Sequence, residues 1–441
     1  MLYRQSQCDL DAARSYEEHQ KCRCSWPSLE VQVGTGLLKG HKMQTAFNSL
    51  ISIRVAIVAT AAMFLSSIGG CTAAPDPPDR QSPAEQSSPP PAFASVLEKY
   101  TEDVVALGAP SVHIQMNSRL GEWSKAVGFR SLENQEPAQL TDQVHIGDVT
   151  MSMVAVSVMK LVDEGKIRLD EPITQYLPEL RDVINAPDAV SVRSLLNHRS
   201  GMPSYWEILL KSTPMREVLA KRMSHEERLA VAATVPWGTR ADTPVGEPVS
   251  EFSYSNSNYA VLGLLVERLR GQGIGDVLDA EVAEPLGLQD TLMTRAESAP
   301  QKMAHGYVLL GGERVDTTLP AHDIGNADSG VISTVADLNT FTAALVQGKL
   351  VKAETVKEMH SSKYEDYGLG LTLFGDACSD SNYLGHVGDV PGYGTVALTS
   401  ADGSRQIAMA VALPPASPRE EFDPRVNQMV DVALEALNMA C

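Results

Sequence analysis

Three short runs carry side chains able to perform or assist acyl transfer. Ser157-Val158-Met159-Lys160 sets a hydroxyl about one helical turn from an amine, the pairing in which a serine attacks a carbonyl while a lysine helps remove its proton. Tyr254-Ser255-Asn256 offers a phenol and an amide. His386-Val387-Gly388-Asp389 offers an imidazole and a carboxylate around a glycine. No Cys-x-x-Cys pair stands beside a histidine cluster, so no metal site is expected, and nothing in the sequence implies an organic cofactor.

The elements that must hold these groups can be read from periodicity. Residues 149–165 (VTMSMVAVSVMKLVDEG) are apolar almost all round, the pattern of a helix buried on most sides. Residues 95–107 have helical spacing, and 111–117 with 122–130 read as two strands of a meander. Helices, turns and loops with few strands run from about 166 to 319. Strand patterns return at 369–374, 393–400 and 405–413, the last two joined through Ala401-Asp402-Gly403, and 424–440 closes as a helix. Strand-forming sequence at both ends with helical sequence between predicts an α/β (α+β) domain over 92–441. It would have one antiparallel sheet assembled from about 92–165 and 320–441, flanked by helices, with a mostly helical region inserted at about 166–319.

Upstream, the chain reads as an address. Residues 55–70 (VAIVATAAMFLSSIGG) form an apolar, small-residue stretch behind His41, Lys42 and Arg54, the layout of a signal peptide, and at this length too short to span a membrane. The stretch ends Ile68-Gly69-Gly70-Cys71, which resembles a bacterial lipobox, so residues 43–71 are expected to be a lipoprotein signal peptide with lipid on Cys71. Met43 is then the expected start, and 1–42 an extension without core-forming periodicity. Residues 72–91, rich in Pro and Ser, cannot bury enough apolar surface to fold and are expected to act as a tether. The expected location is extracytoplasmic, at the bacterial cell membrane. The 441 residues carry a net charge of −19, although residues 1–71 hold seven Lys/Arg against five Asp/Glu, so the acidity lies in the body. An acidic body argues against nucleic acid as a partner. In an oxidising compartment Cys378 and Cys441 are the remaining unmodified thiols, and a disulfide between them is expected, with free thiols as the alternative.

Six runs in order carry a family resemblance: HIGDVTMSMVAVSVMKLVDEGKIRLDEPITQYLPEL (145–180), VSVRSLLNHRSGMPSY (190–205), FSYSNSNYAVLGLLVERLRG (252–271), ADSGVISTVADLNTFTAAL (327–345), YGLGLTLFG (367–375) and GHVGDVPGYGT (385–395). Together they resemble the family of class C β-lactamases, related DD-carboxypeptidases and esterases of the same penicillin-binding-protein-like fold. The resemblance implies a β-lactamase/transpeptidase-like fold. It further implies a pocket lined by Tyr254, Asn256, His386, Gly388 and Asp389, and an oxyanion hole of two backbone N–H groups.

The first motif departs from the family. Matching without gaps places Asp148 at the position of the family's nucleophilic serine and Met151 at that of its lysine, while Gly147, Val149 and Thr150 keep the frame. Ser157 does not restore the motif. It lies nine residues beyond Asp148, about two and a half turns, which sets it on the opposite face of the helix. Ser152 is one turn along, rotated by about 40°. Asp148 is expected to cap the helix, since Asp is a favoured N-cap and its charge suits the positive helix end. The expected function is therefore a catalytically degenerate relative that binds a peptidoglycan-like peptide, a small acyl ligand or an envelope protein. The alternative is an active hydrolase of the same class using another nucleophile.

Overall fold

A computed structural model describes residues 90–238, 251–293, 300–318, 326–361, 363–419 and 422–441. The expected extension, the signal segment with Cys71, and all but the last two residues of the tether lie outside the described residues. Among the described residues no helix is long and apolar enough to cross a membrane.

The strands are β1 (Ser111–Ser118), β2 (Gly121–Ser131), β3 (Glu136–Pro137), β4 (Val144–His145), β5 (Leu292–Met293), β6 (Tyr307–Leu310), β7 (Glu313–Asp316), β8 (Val331–Ser333), β9 (Thr372–Gly375), β10 (Asn382–Val390), β11 (Tyr393–Ser400) and β12 (Gln406–Ala412). Seven of them form an antiparallel sheet in the order β3-β2-β1-β12-β11-β10-β9. The two ends of the domain meet in its middle: β1 lies against β12, with Ser111 opposite Ala412 and Asn117 opposite Gln406. The intervening chain is mainly helical, with a small β4-β8-β5 sheet and a β6-β7 hairpin.

Alternation along β12 sorts the two faces. Ile407, Met409 and Val411 join Val112, Ile114 and Met116 on the face covered by α1 (Ala94–Ala106) and by the last helix (Pro424–Asn438). Each such side chain stabilises the fold by roughly 1.5–3 kcal/mol when fully buried. Ala408 and Ala410 point to the other face, where their small size admits the helix Val335–Val346. On that side runs α2 (Val149–Asp163), buried from Val149 through Met159 and again at Leu161. It packs against α3 (Asn256–Arg270), and the helices Val335–Val346 and Pro424–Asn438 are labelled α4 and α5.

The strand read at 369–374 begins instead at Thr372. Gly370 has a left-handed φ of 75°, and at Gly368 a Cβ would lie 2.0 Å from the Met359 carbonyl oxygen, so 368–371 is a tight loop rather than pleated chain. Cys378, in the β9–β10 connection, is joined by a disulfide to Cys441 beyond α5, with Cα atoms 5.5 Å apart. Beneath the bridge, Arg405 and Asp376 form a buried ion pair at 2.7 Å.

Candidate active-site cleft

A cleft of about 830 Å³ opens where the start of α2, the start of α3 and the edge of β10 converge. Asp148, Tyr254, Asn256, His386 and Asp389 all line it. Gly388 makes the convergence possible. A Cβ there would stand 2.1 Å from the Ile146 carbonyl oxygen and 3.2 Å from the backbone nitrogen of Asp148. Reciprocally, a Cβ on Gly147 would meet the backbone nitrogen of Asp389 at 3.2 Å. Two glycines thus let the α2-side face of β10 press against the helix start.

Asp148 does not cap its helix as expected. Its backbone is helical (φ −65°, ψ −8°) and its side chain makes no capping hydrogen bond. Its carboxylate lines the cleft near enough to Tyr254 for its charge to act on that phenol. Met151 is fully buried one turn on, its sulfur 3.2 Å from the Tyr254 oxygen. Burial, followed by the negative charge of Asp148, holds the Tyr254 hydroxyl well above its ordinary pKa. At neutral pH this phenol is protonated, and a protonated phenol cannot serve as a general base.

Behind Tyr254 lies His198, stacked on its ring with centroids 4.2 Å apart. His198 Nδ1 accepts from the backbone N–H of Ser255 at 3.2 Å, so the neutral ring carries its proton on Nε2, and burial drives its pKa well below 6.5. His386 Nδ1 lies 2.8 Å from the carbonyl oxygen of Val387 and must donate to it, which leaves Nε2 to accept from the Tyr367 hydroxyl at 2.8 Å. Burial lowers the His386 pKa to about 4. His386 therefore faces the cleft as a neutral ring held by Tyr367, not through Tyr254 or Asn256.

The amide of Asn256 donates to Asp328 at 3.0 Å, and Ser204 donates to its oxygen at 3.3 Å. Asp328, buried at the cleft wall, also accepts from Tyr205 at 2.8 Å. Asp389 lines the cleft, whereas Gly388, expected there, packs against the backbone of Ile146 and Asp148 and is not among the lining residues. Alternation turns Asp389 with Val387 toward α5, where its carboxylate accepts from the backbone N–H of Asp423 at 2.7 Å.

The literal Ser-x-x-Lys lies elsewhere. Ser157 is wholly buried inside α2, and Lys160 reaches the carbonyl of Glu281 at 2.8 Å. Ser152 donates to the Gly370 carbonyl at 2.7 Å and is also buried. None of the three lines the cleft. Glu133, His305 and Asp316 are close enough to share a cation, but His305 bonds Asp316 at 2.7 Å and Arg314 lies 3.3 Å from Glu133, so these groups satisfy one another.

Sequence reading passed over His198, Tyr367 and Asp328. Asp328 had a signal, a carboxylate inside the small and apolar run Ala327-Asp328-Ser329-Gly330-Val331. His198 and Tyr367 had none beyond their place in quoted runs, because ring stacking depends on chain segments far apart in sequence.

An antiparallel sheet flanked by helices, a buried helix opening at its edge, and a Tyr-Ser-Asn turn across from a His-Val-Gly strand define the penicillin-binding, β-lactamase-like serine hydrolase fold. The chain belongs to the beta-lactamase family, whose family model matches residues 106–428. Protein Rv1367c of Mycobacterium tuberculosis is 27% identical over 265 residues, covering 54% of this chain and 64% of that protein. Esterase EstB of Burkholderia gladioli is 31% identical over 201 residues, covering 43% of this chain and 48% of the esterase. The chain thus spans less than two thirds of the length of these relatives. Among solved structures, D-amino acid amidase from Ochrobactrum anthropi SV3 complexed with L-phenylalanine amide superposes with a TM-score of 0.65 at 25% identity, over 78% of this chain and 98% of the amidase.

Proposed function

We propose that this protein is an exported, lipid-anchored member of the family that binds an amide or acyl ligand in its cleft and does not turn it over through an acyl-enzyme. One observation carries the reading: the position matched to the serine nucleophile is Asp148, a carboxylate whose charge acts on Tyr254, while Met151, whose sulfur accepts from the Tyr254 hydroxyl, stands where a lysine would assist. Attack of a carboxylate on an amide would give an anhydride, with no neighbouring lysine to help and with a phenol that keeps its proton. Asn256, which keeps a second amide hydrogen and a second oxygen lone pair, remains available to a ligand's amide. The amidase relative solved with L-phenylalanine amide lends support to an amide ligand, and a peptidoglycan-like peptide is the natural source in the cell envelope. The lipobox at Cys71 supports the anchor.

Incubation with labelled benzylpenicillin followed by intact-mass measurement tests the catalytic part. The unaltered protein is expected to show no covalent adduct, and a stoichiometric adduct would sink the reading. For the anchor, Cys71→Ser is expected to move the protein from the membrane fraction to the soluble one. An unchanged partition would mean that no lipid holds it.

A further inference from the structure

We infer that the ligand of this cleft carries a linear acyl chain, which passes around the edge of β10 and seats behind it between Phe374, Val387 and Val430, while its polar head lies in front beside Asp148 and Asn256. The inference deepens the binding role proposed above and rests on it.

The edge of β10 is open because β9 is short. Their pairing ends with Gly385 opposite Thr372, so from His386 to Val390 the strand has no partner on that side. Both faces of the open stretch border the cavity. Register sorts them: His386 pairs with Ala397 on the α2 side, whereas Val387 pairs with Val396 on the α5 side. The same cavity of about 830 Å³ is lined by Asp148 and Asn256 in front and by Phe374, Val387, Leu413 and Val430 behind, so it wraps around the strand.

The two lobes differ in chemistry. The front holds carboxylates, an amide and phenols. The rear is walled by aliphatic and aromatic side chains, with Phe422 at its mouth 43% exposed. Val387 and Val430 retain 9% and 8% exposure, where their sheet neighbours Val396 and Leu398 retain 0%. The charged groups nearest the rear lobe are matched: Asp423 pairs with Arg425, and Asp389 accepts from the backbone N–H of Asp423, with Arg419 exposed at the surface, which leaves the aliphatic wall to a neutral apolar tail. Passing from front to back covers on the order of 10 Å, the spacing of packed layers, which takes a chain of about eight carbons. A flexible chain can round the strand edge, and a rigid ring system cannot.

Calorimetric titration of the full chain with butanamide, hexanamide, octanamide and decanamide reads this directly. Affinity is expected to change little between the first two and then to tighten by about two- to fourfold per added methylene, the effect of burying a CH₂ group. Val430→Trp, which fills the rear lobe, is expected to remove that gain. The series on the unaltered protein stands even if the variant fails to fold. Equal affinity along the series overturns the acyl-chain inference while the cleft remains a binding site. No binding by any amide overturns both. A covalent penicillin adduct would remove only the non-catalytic reading and leave the chain-length result intact.

Discussion

The phenol of Tyr254 donates to the sulfur of Met151 at 3.2 Å, and the charge of Asp148 acts on the same phenol. A phenol has one proton, and here it goes to a thioether, a weak acceptor, while the nearby carboxylate favours keeping that proton on the oxygen. In the proposed reading, an acidic and an apolar group thus stand where the family has a serine and a lysine.

Tyr254→Phe keeps the ring stacked on His198 and removes only the hydroxyl. The bond lost is to a thioether sulfur, a weak acceptor, so the cost is expected to stay below about 1 kcal/mol. Urea denaturation checks this, and a loss above about 1.5 kcal/mol, the range of hydrogen bonds to charged groups, would show that the hydroxyl serves the Asp148 carboxylate instead.

The two buried serines of α2 should separate. Ser157 Oγ is buried without a hydrogen-bond partner, so Ser157→Ala removes an unsatisfied polar atom and is expected to be neutral or stabilising by about 1 kcal/mol. Ser152 donates to Gly370, in the tight loop before β9, so Ser152→Ala is expected to destabilise by about 1 kcal/mol. Thermal melts of both variants check the ordering, and the reverse order would show that the surroundings of the helix are misread.

Acid stability follows from three buried groups. Burial holds His386 and His225 down to about 4. As pH falls from the unfolded value of about 6.5 toward 4, the unfolded chain takes up protons that the fold refuses, so each destabilises the fold over that window by about 3 kcal/mol in total. Asp389 runs the other way. Burial raises it to about 6, so the proton it keeps in the fold stabilises at low pH, and that contribution is lost as pH rises from about 4 through 6. His386→Gln should therefore shrink the stability difference between pH 7 and pH 5 relative to the unaltered protein, and Asp389→Asn should enlarge it. Denaturation of the three proteins at both pH values decides the matter, and an unchanged difference for His386→Gln contradicts the buried neutral ring.

Much of the fold was legible because its signals are periodic. The all-apolar run of α2 and the alternation of β11 and β12 fix element type whatever lies around them. The β9 boundary was not legible, because Gly368 and Gly370 shape a loop through contacts with Met359 and Leu196, residues far away in sequence. The cleft was legible where a motif carried it, at Tyr254, Asn256 and His386. The cap at Asp148 was misread for a physical reason: propensity describes an isolated helix end, and here the residue already has helical backbone angles and its carboxylate lines a cleft. Tyr367 as the partner of His386, and Asp328 as that of Asn256, depend on tertiary packing that no local pattern encodes.

The most direct test of the central claim is to restore the motif. Asp148→Ser with Met151→Lys would set a hydroxyl at the helix start and an amine one turn on, beside Tyr254 and Asn256. Loss of the nucleophile in a serine hydrolase costs on the order of 10⁶ in turnover, about 8 kcal/mol of barrier, so even partial restoration is measurable against a silent background. Intact-mass measurement after incubation with benzylpenicillin should show a covalent adduct on the double variant, located on residue 148, and none on the unaltered protein. An adduct on the unaltered protein that disappears with Ser157→Ala or Ser152→Ala would contradict the account and place the nucleophile on one of those serines.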